Sequence, residues 1–303
     1  MRALIRALPW LCLCAGAGAQ TPLPDSCHRE QLTQPRVEAE AAETWAWRVG
    51  KLRAQARAEP NNEALQLAQL DAAQRLLALA AVAEAEGDAD RAQQLRQLTQ
   101  DGLGGQNLAL LLDQRAASGD PLAIAAQVES LLFGVLHERA TEQACAILVS
   151  LPETGLGWTS RYRLAQCLRD GDPVQSLQRM RESAHEGHPA AAEAIALLCQ
   201  YGREQDADCL LQWGCAAVAG GRVRLAPDVA EALLARDDAL GARARDVLRI
   251  AASQGDPASM HLLGQWLHDG TGGPVDSESG RQWWERAADQ GYAPARLSLR
   301  ERD

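Results

Sequence analysis

The sequence predicts an all-α fold, a solenoid of helix–turn–helix hairpins with a period of about 34–36 residues. Three observations lead to this prediction. Alanine and leucine dominate, aromatic residues make up only 4% of the chain, and clusters of strand-forming residues are missing. Stretches with apolar residues three and four apart, which is typical of amphipathic helices, alternate with short breaks. The breaks themselves recur at a regular spacing.

The recurring break has the form Ala-Ala-x-x-Gly and is followed in most copies by proline. Its glycines are 68, 68 and 36 residues apart, at Gly119, Gly187, Gly255 and Gly291. Residues 216–221 lie midway through one 68-residue gap, and residues 153–155 roughly halve the other. Glycine accepts the left-handed conformation that ends a helix, and proline can begin the next helix. Each unit is therefore two helices, which must stack because one hairpin cannot bury its own apolar face.

Upstream of these breaks, the hydrophobic pattern predicts four helices that follow an irregular lead-in. The lead-in covers residues 20–28, and the helices cover about 29–59, 63–86, 88–100 and 106–118. Turn-forming residues separate them, beginning with the Pro-Asn-Asn sequence at 60–62.

The N-terminus has the pattern of a signal peptide. Arg2 and Arg6 precede an apolar run at 7–14, and the small residues 17–19 form an A-x-A-like cleavage site. Mature protein would begin near Gln20, so we expect a periplasmic or secreted protein.

Two alternatives for this segment are a buried or membrane-anchoring helix and a lipid-modified Cys14. The apolar run is too short to span a bilayer, and Leu13 stands where lipoprotein processing normally has a small residue. Loss of residues 1–19 would change the formal net charge from −10 to about −12. An acidic protein is repelled by phosphate backbones and anionic lipids, so we expect neither nucleic-acid binding nor membrane-surface binding. No later stretch is long and apolar enough to cross a membrane, so we expect no membrane insertion after signal cleavage.

Residues 258–295 resemble the Sel1-like repeat, a relative of the tetratricopeptide repeat. The matching positions are Ala258, Leu263-Gly264, Gly270-Thr271-Gly272, Asp276, Trp283-Trp284, Ala287-Ala288, Gly291 and Ala295. Gly280 departs from the pattern, where the family usually has alanine, and Gly273 replaces the usual valine. The resemblance implies a right-handed α-solenoid with a concave face, in a family of scaffolds and adaptors.

The resemblance divides the chain into four parts. They are a signal peptide at 1–19, N-terminal helical hairpins at 20–99, degenerate repeats at 100–182, and Sel1-like repeats with a C-terminal capping helix at 183–303.

Six of the eight cysteines remain after the expected cleavage, and an even number in an exported protein suggests disulfides. Cys199 ends one helix of a hairpin and Cys209 opens the next, and cysteine-rich members of this family bridge a similar place. Cys145 and Cys167 lie in adjacent predicted helices and could also pair. A bond between the remaining Cys27 and Cys215 would be a guess, and the alternative is buried free thiols.

No catalytic set stands out in the sequence. The only lysine is Lys51, and residue 48, three positions before it, is an arginine, which excludes a Ser-x-x-Lys nucleophile. Nucleotide-binding loops and Gly-x-Ser-x-Gly are missing too. We interpret His185 and His188 as exposed turn residues, and we expect solvated or interface positions for His261 and His268. The sequence thus predicts no enzyme, no cofactor and no metal.

The stretch around Trp158 is the best candidate for binding a partner. It has a loop-like sequence, and aromatic residues beside arginines on an exposed segment resemble an interface hot spot. The candidates are Trp158, Arg161, Tyr162, Arg163 and, on a later helix, Trp266.

These features favour an exported, monomeric scaffold that binds another protein in the cell envelope. One alternative is an exported enzyme or binding protein that acts on the cell wall or an exopolysaccharide. A third possibility is a periplasmic regulator that holds the outer domain of a membrane sensor.

Overall fold

The computed structural model describes Cys27 and residues 42–59, 62–103, 106–152, 156–202 and 206–301. These residues form fifteen α-helices and two short 3₁₀ helices, and no strand occurs among them. The all-α fold class predicted from the sequence is confirmed. The predicted signal peptide at 1–19 and the predicted break at 153–155 lie outside the described residues.

The N-terminal half contains seven helices. They are α1 (Ala42–Ala58), α2 (Glu63–Ala85), α3 (Ala89–Leu103), α4 (Gln106–Ala117), α5 (Pro121–Phe133), α6 (Thr141–Ser150) and α7 (Trp158–Leu168). The C-terminal half contains eight: α8 (Pro173–His185), α9 (Pro189–Tyr201), α10 (Ala207–Ala219), α11 (Ala226–Arg236), α12 (Gly241–Ser253), α13 (Pro257–Asp269), α14 (Ser277–Asp289) and α15 (Ala293–Glu301). The 3₁₀ helices are Val223–Leu225 and Asp238–Leu240.

The periodic breaks fold as the glycine pattern predicts. Six of the breaks place glycine in the left-handed region, with φ between 86° and 97°, at Gly87, Gly119, Gly187, Gly221, Gly255 and Gly291. The residue after several of these glycines caps the next helix. Asp256 accepts from the backbone N–H of Ser259 at 2.7 Å, and Asp120 accepts from that of Leu122 at 2.9 Å.

Stacking of consecutive helices builds the solenoid. Each helix from α4 onward packs against the next, and α10 with α12 and α11 with α13 make contacts between adjacent units. The buried side chains form three clusters along the chain, which lie in α1–α5, in α5–α7 and in α7–α15. A core divided in this way is expected where each unit contacts mainly its neighbours.

Helix α2 departs from this nearest-neighbour pattern. It packs against α3 and α5, and its C-terminal half also reaches α7 and α9. Its apolar residues, mainly alanine and leucine, are buried over most of its length, from Leu70 to Ala85. Arg222, after α10, donates from Nε to the carbonyl oxygen of Ala85 at 2.8 Å and from a second nitrogen to that of Glu84. The superhelix thus curls until its middle units meet the end of α2.

Three disulfides are formed, two between neighbouring helices and one over a long separation in the chain. Cys145–Cys167 connects α6 to α7, and Cys199–Cys209 connects α9 to α10. Cys27–Cys215 attaches the lead-in to the middle of α10 across a separation of 188 residues, and both cysteines are fully buried. Among the described helices, none combines the length and apolar character needed to span a bilayer.

Helices α13 and α14 cross at two glycines. A Cβ atom on Gly264 would lie 2.5 Å from the ring of Trp284 and 2.8 Å from the carbonyl oxygen of Gly280. Trp284 is buried at this crossing and donates from its indole nitrogen to the carbonyl oxygen of His261 at 3.0 Å. Gly280, the departure from the family pattern, therefore allows the two backbones to approach closely.

Gly264→Ala should lower the free energy of unfolding by about 1–3 kcal/mol, because the added methyl group must displace the Trp284 ring or the α14 backbone. Urea denaturation followed by circular dichroism measures the change. Gly50→Ala is the matched control, because no atom lies within 4 Å of a Cβ at that helical glycine. The control should be neutral or stabilising by up to about 1 kcal/mol. Equal free energies of unfolding for the two variants would show that the crossing of α13 and α14 can accommodate the added methyl group.

Candidate functional site

A groove of about 400 Å³ opens between α2, α5 and the segment that leads into α7. One wall is the stripe Ala78, Ala81 and Val82 on α2. These positions are three and four apart, so they share one face of the helix. The facing wall is formed by α5 with Leu122, Ile124, Ala125 and Val128, and the third wall is formed by Leu151, Pro152, Leu156 and Trp158. The walls are almost entirely apolar.

Local sequence sets the position of each wall. Asp120 caps α5, and Pro121 occupies the first turn, so the helix begins at the rim of the groove. Leu122 follows at the rim with 62% of its surface exposed. Trp158 begins α7, and its carbonyl oxygen accepts from the hydroxyl of Ser183 on α8 at 2.7 Å. This bond fixes the backbone of Trp158, and its indole packs edge-on against the ring of His188, with centroids 4.9 Å apart.

An ion-pair network forms the floor of the groove. Arg163 of α7 donates from Nε to Glu129 of α5 at 2.9 Å and from another nitrogen to Glu84 of α2 at 3.0 Å. Arg96 of α3 pairs with the same two glutamates, at 3.3 Å from Glu129. We call these four residues the floor network. It joins four helices and carries no net charge.

Burial makes the floor network electrostatically strong. The side chains of Arg163 and Glu129 are only 8% and 6% exposed. Burial alone would lower the pKa of Arg163, but attraction to Glu129 and hydrogen bonds to Glu84 outweigh it and raise that pKa. Burial would raise the pKa of Glu84, whereas its bonds to Arg163 and Arg96 lower it on balance. Both shifts favour the charged forms of Arg163 and Glu84.

An aromatic ring covers the outer side of the network. The guanidinium carbon of Arg96 lies 3.3 Å from the centre of the Phe133 ring, and that of Arg163 lies 5.2 Å from it. A cation over an aromatic face gains electrostatic attraction. Phe133, the only phenylalanine in the chain, therefore seals the arginines on the side away from the groove.

His188 lies behind the Trp158 wall. It caps α9 by accepting from the backbone N–H of Ala191 at 3.4 Å, and only 2% of its surface is exposed. Its ring centroid lies 4.2 Å from that of Tyr162 and 4.9 Å from that of Trp158. Burial, with repulsion from Arg163 and Arg222, lowers the pKa of His188 to about 3.

Comparisons with known proteins agree with this architecture. Residues 257–292 match the family model of the Sel1 repeat. A solved structure, a Sel1 repeat protein from Oxalobacter formigenes, is similar over 63% of this chain and 79% of its own, with a TM-score of 0.50 and 20% identity. The chain thus contains a Sel1 repeat at residues 257–292 and shares its fold with a Sel1 repeat protein.

A second solved structure is similar over a larger share of the chain. This protein is a protective antigen present in uropathogenic Escherichia coli strains, and it displays an SLR fold. The similarity covers 88% of this chain, with a TM-score of 0.56 and 20% identity. It covers 60% of the antigen, so the chain spans less than two thirds of that protein. Likeness at this identity concerns the fold alone, and no curated protein matches the sequence.

The matched Sel1 repeat is held to the unit before it by one arginine. Arg245 of α12 is buried and donates to the carbonyl oxygens of Trp266, Thr271 and Pro274 at 2.6–2.8 Å. It thereby supports the glycine-rich loop between α13 and α14.

The structure places the predicted partner-binding residues in different surroundings. Residues 158–168 form α7, so the loop-like interpretation of this stretch was wrong. Trp158, Arg161 and Tyr162 are half-buried on that helix, and Trp158 lines the groove. Arg163 is 7% exposed because it belongs to the floor network, and Trp266 is 7% exposed within the core of the C-terminal units. Neither of these two offers the exposed surface that we had predicted.

The two histidines of each predicted pair also lie in different surroundings. His188 is buried, which corrects the prediction of an exposed turn residue, whereas His185 is exposed and packs on Trp213 with ring centroids 4.8 Å apart. His261 contacts Ser298, and His268 stacks on Trp284. Within the described residues, no group of three or more His, Cys, Asp or Glu side chains is placed to hold a metal ion.

Sequence reasoning missed the floor network, because its members are 33 to 79 residues apart where they pair across the groove. In the sequence, Glu84 lies next but one to Glu86, a local pattern that is typical of a solvated helix end. One signal was available for His188: it follows a break glycine and precedes a proline, as Asp120, Asp172 and Asp256 do. Because those aspartates are helix caps, the repeat register indicates a cap at His188 as well.

Proposed function

We propose that this protein is an exported, non-catalytic scaffold that binds a protein partner in the cell envelope through the groove beside Trp158. Sel1 repeats generally mediate protein–protein interaction, which supports the choice of a protein partner. The groove is the observation that carries the proposal. It combines apolar walls, a rim leucine left exposed and an indole fixed in place.

The chemistry of the groove favours an apolar segment of the partner. The walls offer alanine, valine, leucine and proline surface, and the charges of the floor network cancel within the network. A charged group that entered would lose hydration without gaining a free counter-ion. Aliphatic or aromatic side chains would instead bury surface against Trp158, the residue type most often found at interface hot spots.

The disulfides support export. Three bonds join all six described cysteines, which is typical of proteins that fold in an oxidising compartment. A periplasmic or secreted location would follow from the signal-peptide pattern at 1–19.

Leu122→Glu should weaken partner capture by roughly tenfold or more, because it places a charge at the rim of an apolar groove. Tagged protein produced at its native level would be cross-linked in intact cells and recovered from the envelope fraction. Leu122 is largely exposed at the start of α5, so the variant should fold normally.

The matched control is Val174→Glu, on the first turn of α8. Val174 is 78% exposed and does not line the groove. The Val174→Glu variant should capture the same partner as the wild-type protein does. Equal loss in both variants would point to non-specific adhesion, and unchanged capture by Leu122→Glu would place the binding surface elsewhere.

A further inference from the structure

His188 lies where α2 meets the repeats that curl round to it. A small polar cavity joins the residue to Glu84 and Ala85 of α2, to Tyr162 and Arg163 of α7, and to Arg222 after α10. The backbone N–H of His188 donates to the carbonyl oxygen of Ser183 at the end of α8. The imidazole thus faces the end of α2, α7 and the turn after α10 across this cavity.

The equivalent position in other units carries a different kind of side chain. Asp120, Asp172 and Asp256 each cap a helix that begins with proline. A carboxylate suits the positive end of a helix dipole. His188 can cap only while its Nδ1 is unprotonated, so protonation of the imidazole would remove this cap.

The charged groups around His188 do not favour protonation of its imidazole. Arg163 and Arg222 face it from α7 and from the turn after α10. On the acidic side, Glu84 of α2 already accepts from Arg163 and Arg96, and Glu193 of α9 lies 3.6 Å from Arg222. Glu186, in the turn before His188, is paired with Arg161. Each neighbouring carboxylate is therefore already engaged by an arginine.

We propose that His188 is a proton-operated latch: in its neutral form it holds the end of α2 against α7 and α9, and its protonation releases that end. Protonation removes the cap of α9, places a positive charge at the helix N-terminus, and adds a third cation beside Arg163 and Arg222. Release would move Ala81 and Val82, so the latch would change the width of the groove.

The direction with pH follows from the two states of the imidazole. The pKa of His188 is about 3 when the latch is closed and returns towards 6.5 when it is open, so acid favours the open form. The latch is fully closed above about pH 6.5 and loosens as the pH falls towards 3. Between pH 7 and pH 5 the ratio of open to closed molecules should rise roughly 25-fold.

Hydrogen exchange of the α2 amides at pH 7 and pH 5, corrected for intrinsic rates, measures this opening. In the wild type, the protection factors of amides near Ala80–Ala85 should fall about 25-fold between pH 7 and pH 5. The protection factors of amides in α13 and α14 should stay unchanged. His188→Asn retains a good helix cap without a titrating group, so its α2 protection should be nearly independent of pH in this range. His185→Asn removes the exposed histidine of the same turn and should behave as the wild type does.

The same loss of protection in His188→Asn as in the wild type, or none in the wild type, would overturn the latch. If His188→Asn does not fold, the ring resonances of His188 in the intact wild-type protein decide the question. A titration midpoint near 6.5 in the folded state would contradict a closed latch, and an imidazole that stays neutral to pH 5 would support it. Neither readout needs the partner, so the latch and the proposed scaffold function can fail separately.

Discussion

Arg163→Ala is expected to lower the free energy of unfolding by about 3–5 kcal/mol. Glu129 would lose its closest partner, at 2.9 Å, and keep only Arg96, at 3.3 Å, while its side chain stays 6% exposed. A buried carboxylate without sufficient counter-charge costs far more than the net value of the ion pair. The substitution should also destabilise the packing of α2, because the guanidinium of Arg163 binds Glu84 on that helix.

Urea denaturation of Arg163→Ala and of the double variant Arg163→Ala/Glu129→Gln tests this account. The amide of the double variant removes the uncompensated charge, so it should recover at least about 1 kcal/mol of the loss. Arg281→Ala is the control, because it breaks an exposed pair with Glu285 and should change stability by less than about 1 kcal/mol. A destabilisation by Arg163→Ala no larger than that of the control would show that the floor network contributes little to stability.

The repeat unit could be predicted from the sequence because its determinants are local. A left-handed glycine, a cap and a proline lie within three residues of one another, and the break at Gly255 has all three features that the sequence indicates. Helices predicted at 63–86 and 106–118 are observed at Glu63–Ala85 and Gln106–Ala117 for the same reason. Nearest-neighbour stacking then fixes most of the solenoid.

The curl of the superhelix could not be predicted in this way. Small rotations between successive units add up, and only their sum decides whether α2 meets α7 and α9. The contacts made there, such as Arg222 with the carbonyl oxygen of Ala85, join residues 137 positions apart. The local sequence around either residue gives no indication of this contact.

The groove could not be predicted from the sequence for a related reason. Ala78, Ala81 and Val82 have the pattern of ordinary core residues on an apolar helix, and the sequence cannot show that part of that face stays open. Trp158 was found because an aromatic residue beside arginines is unusual in a chain with 4% aromatic residues. Its neighbour Arg163 was taken for surface, since the glutamates that bury it lie 34 and 79 residues away.

The disulfide Cys27–Cys215 should contribute the most of the three to stability. In the chain-entropy description, a cross-link stabilises by restricting the unfolded chain, and the effect grows with the logarithm of the enclosed length. A separation of 188 residues gives about 5 kcal/mol, whereas the 10 residues of Cys199–Cys209 give about 3 kcal/mol. Cys27→Ala/Cys215→Ala should therefore unfold at a clearly lower urea concentration than Cys199→Ala/Cys209→Ala.

Structure around the long bond strengthens this expectation. Cys27 is fully buried in the same cluster as Ala165 of α7 and Trp213 of α10, so the bond also fixes Cys27 within the core of these units. A non-reducing peptide map would first establish that the two remaining bonds form in each double variant. Equal urea midpoints for the two variants would contradict the expected order, because they would mean that the unfolded chain gains no more freedom from opening the 188-residue loop than from opening the 10-residue one.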